Sequence, residues 1–145
     1  MHYNLANLLA GLAIISILAL SLIPLAAGTQ GAVAVEQAAQ QLAQELSCVR
    51  QRAVAENQTY SVYFEWGSKS FAIRAADMSG VMRRVMLPPG VEWYGPFTEK
   101  ILFKGTGKVD QGGTITFVHP QSGEKVGVVI APFTGRIQIS RGEKK

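Results

Sequence analysis

The side chains able to do chemistry are few in this chain and stand apart. Its histidines are His2 and His119, its aspartates Asp77 and Asp110, and its single cysteine is Cys48. Nucleophilic hydrolysis needs a nucleophile, a base and a group that orients the base. No Ser-His-Asp or Cys-His set can be assembled from so few candidates, with both aspartates in loop-like sequence. A metal site needs several ligands at recurring spacing, but Cys48 has no second thiol and His119 no neighbouring ligand. Gly105-Thr106-Gly107-Lys108 is too short for a phosphate loop and leads towards a strand rather than a helix. The expectation is a protein that is not an enzyme, takes no cofactor, metal or small-molecule substrate, and acts by association.

Basic side chains are the remaining candidates, with nucleic acid as their partner. Gly135 and Arg136 are followed by Arg141, Lys144 and Lys145, which can contact phosphates with weak, salt-dependent affinity; a solvated basic tail is the plainer reading. Lys100, Lys104 and Lys108 alternate at even spacing and form a second line. Arg83 and Arg84 are strand neighbours and so point to opposite faces, which keeps them from making one patch. A net charge of +4, from 14 basic and 10 acidic residues, fits solubility better than a nucleic-acid footprint.

The elements that must position any such surface begin with an apolar segment. Between His2 and Glu36 there is no charge of either sign, and Pro24 is the only proline. Leu5 to Ala27 is long enough, at ~1.5 Å of rise per residue, to cross a hydrocarbon core of ~30 Å as a helix. Its polar groups, Asn7, Ser16 and Ser21, are small and uncharged; a serine can bond the carbonyl one turn back, and Asn7 can bond across to a neighbouring helix. The ~20 residues after the span carry only Glu36 and Glu45, which favours the N-terminus in the cytoplasm and the bulk of the chain outside. A cleaved secretory signal, cut at Ala32-Val33-Ala34, is the alternative. Against it, the apolar stretch exceeds the ~7–15 residues of a signal core, and the head has no Lys or Arg.

From Ala32 to Asn57 the pattern becomes that of an amphipathic helix. Val35, Ala38, Ala39, Leu42, Leu46, Val49 and Ala53 recur at three- and four-residue steps and form one apolar stripe. A second lane carries Gln37, Gln40, Gln44 and Gln51, with Cys48 beside it. Glutamine keeps helix propensity and offers hydrogen bonds without charge, which suits a face meeting other helices; a solvated face is the competing reading. Asn57 and Gln58 close the helix, since Asn tolerates the left-handed cap conformation. Cys48 has no internal disulfide partner, and either is a small helix residue or bridges two chains in an oxidising compartment.

Beyond Thr59 the chain reads as short strands. Thr59–Glu65 alternates, Trp66–Lys69 turns into Ser70–Ala75, and Val81–Leu87 ends at Pro88-Pro89-Gly90. Val91–Tyr94, Lys100–Lys104, Thr114–His119, Val126–Ala131 and Arg136–Ser140 follow, with Val126–Ile130 apolar on both faces and hence central. The fold class is α+β: a long N-terminal helix packed on an antiparallel sheet or small β-sandwich. The organisation expected is a head over 1–4, a transmembrane helix over 5–27, an amphipathic helix over 28–58 and a β domain over 59–145. Loops 77–80, 95–99 and 121–125 would be presented outward.

This order of elements resembles the type IV pilin superfamily, and within it the H-type minor pseudopilins of type II secretion and the FimT-like minor pilins. Tyr3-Asn4-Leu5-Ala6-Asn7-Leu8-Leu9, the apolar run from Leu12 to Leu18, and Pro24 fall in the register of the family's N-terminus without a gap. Arg50–Gln58 before the first strand, Ile101-Leu102-Phe103 before Gly105-Thr106-Gly107, and Gly135-Arg136-Ile137 at the last strand match the soluble part. The resemblance implies cleavage by prepilin peptidase between His2 and Tyr3, although His2 stands where the family has glycine, and methylation of the new amine. It implies that Asn7 replaces a membrane glutamate that pairs with a neighbour's amine. A neutral amide cannot form that ion pair but can still hydrogen-bond.

By the same resemblance the chain is a minor subunit of a secretion, pilus or competence filament in the bacterial inner membrane, single-pass, with its C-terminal domain outside the cytoplasm. Its partners are other pilin-like subunits and the inner-membrane assembly platform, met through Leu5, Asn7, Gly11, Ala13 and Pro24. FimT-like pilins of DNA uptake are thought to bind through a Gly-Arg-x-Arg. Here Gly135-Arg136 matches and Gln138 takes the second arginine's place, so a DNA-binding minor pilin using Arg136, Arg141, Lys144 and Lys145 is the alternative function. A secreted β domain with a cleaved signal is the other.

Overall fold

The protein is described by a computed structural model covering residues 4–76 and 80–142, with the backbone alone over residues 18–29. Among these residues one helix, α1 (Leu5–Glu56), precedes eight strands. The strands are β1 (Tyr60–Glu65), β2 (Ser70–Ala75), β3 (Arg83–Met86), β4 (Glu92–Tyr94), β5 (Lys100–Phe103), β6 (Gly113–Val118), β7 (Lys125–Ile130) and β8 (Ile137–Arg141). The chain divides after Gln30 into two compact units.

The first unit holds the apolar part of α1. The Asn4 carbonyl accepts from the amides of Asn7 (2.9 Å) and Leu8 (3.4 Å), which starts the helix. The helix is uninterrupted through Pro24.

In the second unit the predicted stripe is the buried face of α1: Val35, Ala38, Ala39, Leu42, Leu46, Val49 and Ala53 all belong to the core. Two antiparallel four-stranded sheets supply the rest. Sheet A has the order β3-β2-β1-β5 and sheet B the order β4-β6-β7-β8. β7 lies inside sheet B between β6 and β8, which accounts for an apolar strand buried along most of its length. Within sheet A, Tyr60, Val62 and Phe64 face the core and oppose Ala75, Ile73 and Phe71. A one-residue slip would turn all of them outward, so burial sets this register.

The helix ends as its sequence indicates. Asn57 takes a φ of 49°, its amide bonds Val54 O at 3.3 Å, and the Gln58 amide reaches Ala53 O at 3.0 Å. This paired closure satisfies carbonyls that the helix leaves open.

One expectation is corrected. The loop 95–99 is not presented outward as a whole: Phe97 is buried and stacks on Phe64 at 5.6 Å, and its carbonyl accepts from Trp66 Nε1 at 3.1 Å. An aromatic side chain among polar neighbours had a pocket to fill, made by Phe64, Trp66 and Trp93. Of the loop 77–80, residues 77–79 lie outside the described residues, whereas Gln121, Ser122 and Gly123 are exposed.

Candidate assembly surface

The leucine and isoleucine side chains described between Leu5 and Ile17 are exposed. Leu5 is 76% exposed and Ile15 68%, and Leu8, Leu9, Leu12, Ile14 and Ile17 are similarly open. Asn7 and Ala13 share that exposure, and a Cβ built on Gly11 would meet nothing within 4 Å. Ser16 Oγ donates to Leu12 O at 2.8 Å, which satisfies the hydroxyl within the helix. Among the described residues no helix is long and apolar enough to cross a membrane. The apolar run with described side chains covers residues 5–17, short of the ~20 that a span needs. His2 and Tyr3 lie outside the described residues, as does the side chain of Pro24.

In the second unit the glutamine lane is exposed: Gln37, Gln40, Gln44, Gln51 and Cys48 all reach solvent. It runs between the free edges of the two sheets. On one side Ile137 and Ile139 of β8 face Gln40, Ala43, Gln44 and Ser47 across a shallow, mostly apolar groove of about 380 Å³. On the other, Met82 and Arg83 face Gln44, Cys48 and Gln51.

Each border is fastened by an ion pair from the helix. Arg141 Nη2 donates to Glu36 Oε1 at 2.8 Å, and Arg83 Nη2 approaches Glu45 Oε1 at 2.7 Å. The hydrogen bond from Arg141 holds the Glu36 carboxyl below its ordinary value of 4.5, aided by Gln40 and opposed by partial desolvation; the same bond raises Arg141. On the far face of sheet A, the Ser70 hydroxyl and then Arg84 lower Glu65. Arg83 and Arg84 thus point to opposite faces, as strand neighbours must. Sequence reasoning missed both clasps. Its one signal was that Glu36 and Glu45 are the only charges between Gly31 and Val49.

Of the basic residues near the C-terminus, Arg136 and Arg141 are described, and each has a partner within the chain. Arg141 is engaged with Glu36. Arg136 donates through Nη2 (2.9 Å) and Nε (3.1 Å) to the side-chain oxygen of Gln138, in the amide orientation that satisfies both groups. The residue standing in place of the second arginine therefore occupies the first. Lys144 and Lys145 lie outside the described residues. Gly135 has a structural reason: its φ is 66°, and a Cβ there would come within 2.8 Å of Gly107 O. That carbonyl accepts from Arg50 Nε at 3.1 Å, so the Gly105–Lys108 turn and the approach to β8 both pack on one helix arginine. Among the described residues no group of three potential metal ligands occurs.

The family model described as type II transport protein GspH matches residues 38–135. No curated protein sequence matches the chain. Among solved structures, the minor pseudopilin EpsH from the type 2 secretion system of Vibrio cholerae superposes with a TM-score of 0.61 at 13% identity, covering 74% of this chain and 96% of that one. A second EpsH structure gives 0.62 at 15% identity, covering 79% and 99%. The type IV minor pilin FimU of Pseudomonas aeruginosa gives 0.61 at 18% identity, covering 72% and 91%. At such identities these structures establish likeness of fold.

Proposed function

The chain belongs to the GspH family of type II transport proteins, and from that premise we propose that it is a minor pilin-like subunit acting by assembly. The observation that carries this reading is the run of exposed leucine and isoleucine side chains from Leu5 to Ile17. In water such a surface is costly, whereas lipid or a neighbouring helix covers it at small polar expense, since Ser16 is satisfied internally and Asn7 is left to bond across to a neighbour. Continued in sequence to Ala27, the segment is long enough to span a membrane once, with the β domain outside the cytoplasm.

In this reading the subunit waits in the inner membrane, meets the assembly platform there, and leaves lipid for a bundle of pilin-like helices. Gly11 and Ala13 allow close approach, Asn7 supplies an interhelical hydrogen bond, and Leu5 packs at the entrance. Pro24 lacks an amide donor, which weakens the helix locally and suits a change of surroundings. The open lane from Gln37 to Gln51 is the second contact strip, polar enough for water and uncharged enough to dock. Processing at Tyr3 belongs to the same reading, as does service in a secretion, pilus or competence filament.

The DNA-uptake alternative loses support because Arg136 and Arg141 already hold partners within the chain. The test is carbonate extraction of membranes followed by affinity purification of the full chain. Retention in membranes and co-purification of pilin-like subunits supports assembly; release into the supernatant with a mature N-terminus at Val35 overturns it.

A further inference from the structure

The outer face of sheet A holds a group of side chains that neither the core nor the helix uses. In register, Ser61 of β1 lies between Arg74 of β2 and Leu102 of β5, and Tyr63 lies between Ala72 and Lys100. Alternation along each strand puts all of these on the face opposite the core. Beside the small Ser61 lies a hollow, an open depression of about 490 Å³ lined in part by Tyr63, Arg74, Lys100 and Leu102.

Its electrostatics are unbalanced. The Arg74 guanidinium carbon stands 4.6 Å from the Tyr63 ring centroid and Lys100 Nζ 5.5 Å from it, so two cations share one aromatic ring. Among the described residues neither takes part in an ion pair. Arg84, on the same face one strand further out, is neutralised by Glu65 at 2.9 Å. Arg74 Nε is shut off from solvent and has no hydrogen-bond acceptor. An outside ligand would therefore meet the guanidinium at its Nη edge, which carries two parallel N–H groups.

We infer that this hollow receives a carboxylate from an acidic peptide segment of a partner protein. The planar guanidinium fork matches a carboxylate with two parallel bonds, and Lys100 adds a second charge from the far side of Tyr63. A phosphate chain fits less well. Strands of nucleic acid follow a continuous line of cations, whereas here Glu65 shares the face and Glu99 immediately precedes Lys100. The inference rests on the assembly reading for the identity of its partner, a neighbouring subunit, and not for its chemistry.

The test uses the full chain in detergent micelles at low ionic strength, with a blocked Gly-Glu-Gly-Asp-Gly peptide carrying an uncharged dye and binding read by fluorescence anisotropy. Saturable binding is expected, at least about tenfold weaker in the R74Q/K100Q double variant, because charge-assisted hydrogen bonds are the strong ones. R84Q should bind within about twofold of the parent, since Arg84 is already paired. R74K keeps the charge and loses the fork; it should fall between, and it replaces R74Q should circular dichroism show that variant unfolded. Unchanged binding in the double variant overturns the inference, as does an equal loss in R84Q, or a single-stranded oligonucleotide of equal charge that binds more tightly through the same two residues. Failure of the assembly reading shows separately, as loss of membrane retention, which neither Arg74 nor Lys100 affects.

Discussion

Arg141, at the end of β8, donates to Glu36 on α1 at 2.8 Å across a separation of 105 residues. This bond fastens the edge of sheet B to the helix, and with Arg83–Glu45 on the opposite border it fixes the width of the exposed glutamine lane. Its acid response follows from the lowered Glu36 pKa. The folded chain takes up that proton less readily than the unfolded chain, so the stabilisation is complete above the ordinary value of 4.5 and is lost as pH falls through the lowered folded value. Replacing Glu36 by Gln should lower the melting temperature at neutral pH, and the gap from the parent should shrink as pH falls below 4.5. Thermal melts followed by circular dichroism over that pH range check this.

Leu42 and Leu46 are fully buried between α1 and the sheets. Changing either to Ala removes apolar contact and leaves a cavity, with an expected loss of about 2–5 kcal/mol in denaturant unfolding. Gln44→Ala, in the exposed lane, should change stability by less than about 0.5 kcal/mol. An equal effect at Gln44 and Leu42 would show that the lane is part of the core.

Gly11→Leu and Ala13→Leu meet no obstacle within the chain, because Gly11 has open space around it and Ala13 is exposed. Melting should be unchanged, while co-purification of pilin-like subunits from membranes should fall. Full association in both variants would move the interface off α1.

Gly135→Ala should destabilise the chain through its φ of 66° and the close Gly107 carbonyl. Arg136→Ala should leave the melting temperature nearly unchanged, since its partner Gln138 is exposed. Equal losses in the two variants would place the weight of the Gly-Arg pair on the arginine.

Residues 31–145 form a compact unit and can be tested alone against DNA. With Arg136 and Arg141 already engaged, binding should be no tighter than roughly 10⁻⁵ M at physiological salt. A tighter complex that is lost when Arg136, Arg141, Lys144 and Lys145 are changed together would restore the DNA-uptake function; one that survives would direct attention to Lys100, Lys104 and Lys108.

Much of the fold was legible because it follows from local pattern. The stripe from Val35 to Ala53 repeats at the helical period, and all of its members are buried. The alternation of Tyr60, Val62 and Phe64 marked β1 and its inner face, and the bounds of Ser70–Ala75 were read without error. Asn57 closed the helix as its tolerance of positive φ suggested. The candidate surfaces were less legible. Arg136, Arg141 and Gln138 read as a charge pattern along the chain, yet their state depends on Glu36 and on each other's side chains.

The sequence by itself therefore determined the order of elements, the buried faces of α1 and β1 and the apolar N-terminal run, since periodicity and charge exclusion act over a few residues at a time. Only the tertiary structure decided which charges are already paired. Arg50 meets Gly107 over 57 residues, Arg141 meets Glu36 over 105, and Arg74 and Lys100 meet at one tyrosine because β2 and β5 flank β1. Strand order and register bring such residues together, and both are set by how the whole core closes rather than by any stretch of the chain that could be read alone.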